Sequence, residues 1–144
     1  MKAASHIPEG FRAITPYLIV EGAARYLDFL RAAFGAEEIL RMPKAGDHVQ
    51  HAQLRIGDSV VEVGEQPPDW TPRKAALHLY VPDADAVYRR ALAAGATSMY
   101  EPEDKFYGDR EAGVEDPAGN QWFLATHRED LPLEEVEARA PKTG

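Results

Sequence analysis

Two stretches decide how this chain folds: VEGAARYLDFLRAAFGAEE at residues 20–38 and VPDADAVYRRALAAGATS at residues 81–98. Each opens on a valine, runs through an apolar stripe of helical spacing and ends on Gly-Ala. Aligning Val20 with Val81 also brings Gly35-Ala36 onto Gly95-Ala96, at an offset of about sixty residues. IGDSVVEV (56–63) and AGNQWFLA (118–125) align in the same way. Order, spacing and turn residues agree together, so the chain reads as two copies of one strand–helix–three-strand unit.

Outward from the first stretch, RAITPYLIV (12–20) is β-branched and aromatic, a strand signal. Pro16 lies inside it and cannot donate to a ladder, which expects an edge position or a bulge. Ala23, Tyr26, Leu27, Leu30 and Phe34 form one face of a helix, and Gly35 stops it in the left-handed conformation that glycine adopts cheaply. Strands are expected near Glu38–Pro43, Val49–Ile56 and Ser59–Gly64, separated by turns at Lys44–Asp47 and Gly57-Asp58. The second copy gives a strand at Ala75–Val81, an Asp83-capped helix over Ala84–Ala94 stopped by Gly95, and strands near Ser98–Glu101, Arg110–Glu115 and Gln121–Thr126. Asp116-Pro-Ala-Gly-Asn120 is a turn, since proline presets φ and Gly-Asn tolerates positive φ. The expected organisation is a single domain: module one at about 12–65, a proline-rich linker at 66–74, module two at about 75–127 and a tail at 128–144. Residues 1–10 read as a loosely held arm, and Leu133–Ala138 as one or two helical turns.

Composition narrows the function. The formal net charge of −8 opposes binding to nucleic acid or to an anionic membrane surface, both of which need a positive field. The chain has no cysteine, which removes disulfides, thiolate ligands and a cysteine nucleophile, and fits a reducing, cytoplasmic setting. No apolar run suits a signal peptide or a membrane span. The glycines are scattered at turns rather than gathered into a phosphate loop, and no serine sits in a nucleophile elbow.

Paired β-α-β-β-β modules with a DPxGN turn before the last strand resemble the vicinal oxygen chelate superfamily, which includes glyoxalase I, extradiol dioxygenases, fosfomycin-resistance thiol transferases and bleomycin-binding proteins. Residues 12–127 carry the resemblance. HAQLRIGDSVVEV, the opening ITPYLIVEG and the combination YGDR…DPAGNQW…ATH are most similar to the PhnB-like branch. The resemblance implies an α+β fold whose two modules form one eight-stranded, incompletely closed barrel-like sheet. It also implies a homodimer, and four metal-ligand positions on the first and last strands of each module. In this sequence those positions are Thr15, Glu62, Ala76 and Phe123, so one carboxylate of the usual ligand types survives.

With Thr15 and Ala76 facing inward, side-chain alternation places the other strand residues. Leu18, Val20, Ala52, Leu54, Ile56, Leu77, Leu79, Trp122 and Leu124 then turn to the helices. The opposite, concave face carries Thr15, Tyr17, His51, Gln53, Arg55, Glu62, His78, Tyr80, Gln121 and Phe123. Aromatic walls with a few convergent polar groups are the make-up of a small-molecule pocket.

Three functional readings follow. The first is a metal-free protein binding a small, partly aromatic or cationic compound, as drug-sequestering relatives do. The second is a lyase, isomerase or dioxygenase using one divalent metal ion held by Glu62, His78 and His51, since imidazole and carboxylate together suit Zn²⁺, Ni²⁺ or Fe²⁺. Without metal, Glu62 beside a histidine is a carboxylate–imidazole pair able to act as general base. The third is a partner-binding dimer with a vestigial pocket. Arg110, in the loop Glu101–Arg110, is a rim cation or a surface ion-pair partner, and His127, Arg128 and Glu129 are expected beyond the last strand in solvent.

Overall fold

Pro16 and Gly22 bracket the first strand. In the computed structural model, which describes residues 2–44 and 46–142, strand β1 is Tyr17–Val20. It is shorter than the expected 12–20 because the chain enters the ladder only after the proline. It takes an edge position in its sheet, with Pro16 just outside the ladder. Gly22, at φ +79°, turns the chain into α1, Ala23–Phe34. A glycine has no side chain to cap the helix, so Glu65 does it from a distance: its carboxylate accepts from the Gly22 and Ala23 N–H groups at 2.9 and 3.0 Å. Gly35, at φ +67°, closes the helix by donating to the Leu30 and Arg31 carbonyls.

Strands β2 (Glu37–Met42), β3 (His51–Ile56) and β4 (Ser59–Glu65) complete the first unit. Its sheet runs β1-β4-β3-β2, with β1 parallel to β4 and the other pairs antiparallel. The expected turn at Lys44–Asp47 includes Ala45, which lies outside the described residues. Helix α1 lays Ala23, Tyr26, Leu27, Phe29, Leu30 and Ala33 onto one sheet face, against Leu18, Val20, Ala52, Leu54, Val61 and Val63. Each fully buried leucine there contributes roughly 1.5–3 kcal/mol.

The second unit repeats the order: β5 (Ala76–Tyr80), α2 (Ala84–Ala93), β6 (Thr97–Asp104), β7 (Asp109–Glu115) and β8 (Gln121–His127), with sheet order β5-β8-β7-β6. Asp83 caps α2 by accepting from Ala86 N–H at 3.1 Å, and Gly95 follows the helix at φ +116°. β6 is twice the expected length, because its residues continue pairing with β7 through register shifts. β8 extends to His127, which therefore belongs to the strand rather than to the tail. A short helix α3, Leu133–Arg139, follows and buries nothing.

The Asp116–Asn120 turn joins β7 to β8 and is closed by one carboxylate. Asp116 Oδ1 accepts from the Ala118 and Asn120 N–H groups at 2.9 Å each, and Oδ2 accepts from the Trp122 indole at 2.8 Å. Asn120 in turn accepts from Ala75 N–H at 2.8 Å, tying the turn to the start of β5.

The fold is thus α+β, two β-α-β-β-β modules with eight strands in two four-stranded sheets, not closed into a barrel. Two compact units meet in sequence between Arg73 and Lys74, inside the proline-rich stretch. No helix among the described residues is long and apolar enough to cross a membrane.

Candidate functional sites on the helix-free sheet faces

In the first unit, alternation holds as expected: Leu18, Val20, Ala52, Leu54 and Ile56 are buried, whereas Tyr17, His51, Gln53, Arg55 and Glu62 are not. Pairing of Tyr17 and Gln53 with Glu62 places the carboxylate between its neighbours on the adjacent strands. Gln53 Nε2 donates to Glu62 Oε1 at 3.2 Å, and His51 Nε2 stands 3.9 Å from the same oxygen. The Tyr17 hydroxyl lies 3.3 Å from His51 Nδ1, and the two rings stack with centroids 5.5 Å apart. Gly64 makes room for Tyr17, since a Cβ there would stand 2.7 Å from the tyrosine oxygen.

Glu62, Gln53 and Thr15 are among the residues lining a recess of about 460 Å³. Ile7, Pro8 and Phe11 line it with His6, Arg12 and Ala13, so the arm expected to be loosely held forms part of the recess. Tyr17, His51 and Arg55 share the sheet face without lining this recess. No lysine or arginine forms an ion pair with Glu62 among the described residues.

In the second unit the partner of His78 is Glu111, a residue not anticipated. Glu111 is 6% exposed and accepts from Tyr100 at 2.5 Å, from Tyr107 at 3.0 Å and from His78 Nε2 at 3.1 Å. A carboxylate only accepts, so His78 is the donor, from Nε2. Strand register explains how the pair meets. Tyr80, Ala125 and Glu111 lie in one row across β5, β8 and β7, and His78, Phe123 and Gly113 in the next. The small Ala125 lets His78 reach diagonally over β8, and Gly113 leaves space for the Tyr100 ring, which a Cβ would meet at 2.5 Å.

Burial works to raise the Glu111 carboxyl, but hydrogen bonds from Tyr100, Tyr107 and His78 outweigh it, and the net shift is downward. Burial, then the bond to Glu111, pushes both phenols far above the ordinary tyrosine range. Asp109, 6% exposed and two residues before Glu111, accepts from His127 Nδ1 at 2.7 Å, and Asp130 accepts from His127 Nε2 at 2.7 Å. An imidazole donating from both nitrogens is a cation, and the Asp130 and Asp109 carboxylates hold its pKa above the ordinary value. His127 is therefore bound on both sides, not merely solvated.

Of the other expected residues, Tyr80 is 63% exposed with its ring 4.6 Å from that of His78, and Phe123 packs beside Tyr100 at 6.5 Å. Gln121 pairs with Ala76 and Glu115 at the end of β8. Arg110 takes the ion-pair role: it donates to Asp85 at 2.8 and 3.1 Å and to Asp104 at 3.2 Å. Of the proposed metal set, His51 and Glu62 lie near one another in the first unit, while His78 sits with Glu111 in the second.

Glu111 was legible in principle. The hairpin centred on the Asp116–Asn120 turn pairs Glu115 with Gln121, hence Gly113 with Phe123 and Glu111 with Ala125. Assigning Phe123 and Ala125 to the helix-free face assigns Gly113 and Glu111 to it as well.

The four inherited ligand positions do not fit a metal. Ala76 and Phe123 carry no donor atom, and Thr15 offers only a hydroxyl beside Glu62.

A family model described as the Glyoxalase/Bleomycin resistance protein/Dioxygenase superfamily matches residues 11–124. An uncharacterised protein of Mycobacterium bovis is 34% identical over 143 residues, spanning 92% of this chain and 94% of its own length. Among solved structures, TioX from Micromonospora sp. ML1 is similar with a TM-score of 0.70 at 28% identity, over 81% of this chain and 98% of TioX. A gene product from Arabidopsis thaliana gives 0.66 at 26% identity, over 80% of this chain and 98% of its own.

Proposed function

The chain belongs to the glyoxalase/bleomycin resistance protein/dioxygenase superfamily, and on that premise we propose that it binds a small organic molecule, with a basic or hydroxyl-bearing group seated on Glu62 and an apolar body against Ile7, Pro8 and Phe11. The observation that carries this reading is the recess itself: a half-buried carboxylate, without a lysine or arginine ion-pair partner among the described residues, lines a space of about 460 Å³ together with the apolar Ile7, Pro8 and Phe11 and the polar His6 and Arg12. That volume falls within the roughly 300–1,000 Å³ of ordinary ligand pockets. A carboxylate held by the neutral amide of Gln53 keeps an acceptor site for an ammonium or hydroxyl donor. The absent donors at Ala76 and Phe123 favour this binding reading over chemistry at the usual metal site.

The test is a melting series with aromatic amines and benzylic alcohols, each beside a neutral isostere lacking the polar group. A ligand at a hundred times its Kd stabilises the protein by about 2.7 kcal/mol, a readily measured shift. The expected result is a shift with the amine or alcohol, absent with the isostere and absent in Glu62→Gln. Equal shifts in the wild type and Glu62→Gln contradict the assignment.

The motif from Tyr107 to Arg110, followed by DPAGNQW, supports placement in the PhnB-like branch, and proteins related to this superfamily usually pair. We accordingly expect sedimentation to give twice the mass of one chain; a monomer at micromolar concentration rejects that expectation.

A further inference from the structure

We propose that the second unit holds a divalent first-row metal ion between His78, Asp109 and Glu111, a site displaced from the positions its superfamily uses. One potential ligand atom from each residue lies within 4.8 Å of the others. The two acids occupy alternate positions of β7 and so share a face, and His78 reaches them from β5.

Two carboxylates buried side by side repel one another and lose their hydration, a combination stable only with compensating positive charge or hydrogen bonds. Glu111 has its hydrogen bonds. Asp109 is only partly satisfied: Oδ1 accepts from His127, whereas Oδ2, on a side chain 6% exposed, accepts no hydrogen bond among the described residues. An anionic oxygen that accepts from no protein donor among the described residues and keeps access to solvent, within a cluster of two carboxylates and an imidazole, is a ligand atom open to a cation.

The surroundings match what metal ligands require. Tyr100 and Tyr107 fix Glu111, and His127 fixes Asp109, the outer contacts that orient ligating carboxylates. His78 is the exposed member of the three, which leaves a route from solvent and room for non-protein ligands. One nitrogen with two carboxylate oxygens suits Mn²⁺, Fe²⁺, Co²⁺, Ni²⁺ or Zn²⁺, while an imidazole disfavours Mg²⁺ and Ca²⁺. All three residues belong to the second unit, whereas the recess at Glu62 is lined by residues of the first.

The experiment is calorimetric titration of chelator-treated, untagged protein with Zn²⁺ and with Ni²⁺, repeated on His78→Gln, Asp109→Asn, Tyr107→Phe and Glu62→Gln. His78→Gln alters an exposed side chain and keeps the fold available for measurement. The expected result is one equivalent per chain, lost in His78→Gln and Asp109→Asn and unchanged in Glu62→Gln. Tyr107→Phe, an outer contact, is expected to weaken binding about tenfold. Absence of binding by the wild type overturns the proposal. So does binding that survives both His78→Gln and Asp109→Asn, or that disappears in Glu62→Gln.

Discussion

Asp116→Ala unfolds far more easily than the wild type, by about 3 kcal/mol or more in denaturant titration. The Asp116 carboxylate is the acceptor for two backbone N–H groups of its own turn and for the Trp122 indole, which is 2% exposed. Alanine leaves all three donors without it, and each unsatisfied buried donor costs about 1–3 kcal/mol. The turn also sets the β7–β8 register and presents Asn120 to Ala75, so the damage reaches β5. Asp116→Asn keeps one acceptor oxygen and is expected to lose less. A change within 0.5 kcal/mol for Asp116→Ala contradicts this view of the turn.

The second large effect is pH-dependent. Glu111→Ala strips the acceptor from Tyr100, Tyr107 and His78 at once. Hydrogen bonds to a charged group contribute about 1.5–3 kcal/mol each, and with relaxation of the exposed histidine a net loss of about 3 kcal/mol is expected at pH 7. The folded pKa of Glu111 is depressed, so its contribution is present above the ordinary glutamate range and is lost as pH falls through the folded value. The gap between wild type and Glu111→Ala, measured in chelator, must therefore narrow in acid. A gap that stays constant from pH 7 to pH 3 shows that the carboxylate charge plays no part.

How much of this was legible in the sequence differs from element to element. Both helices followed from 3.6-residue periodicity and from Gly35 and Gly95, because a glycine stop is a local property. β1 was over-read: RAITPYLIV has strand composition throughout, yet only the four residues after Pro16 enter the ladder. β6 was under-read, because pairing with β7 carries Pro102 and its acidic neighbours, which have little strand propensity of their own. The helix-free face was legible by parity at Tyr17, Gln53, Glu62 and His78. The junction of His78 with Glu111 was not, since it rests on a diagonal reach over Ala125 between strands that do not pair directly. Tyr100 and Tyr107 enter that network from a strand and a turn whose orientation no local pattern declares.

That asymmetry shapes the functional account. Glu62 lies without a lysine or arginine partner among the described residues, in a recess large enough for a ligand, while Glu111 is spoken for by three donors. The proposed organic-molecule site therefore draws on the first unit, and the proposed cation site on the acidic cluster of the second, where one oxygen of Asp109 accepts from no protein donor among the described residues.

The most direct measurement is a ¹H–¹⁵N spectrum of the labelled protein titrated with the amine that stabilises it most. The account predicts saturable shifts at the Gln53 side-chain amide and at the backbone amides of Ile7, Phe11 and Glu62, with the Trp122 indole unmoved. Saturable shifts confined to other residues, or no saturable shift with any amine that Glu62 could seat, contradict it.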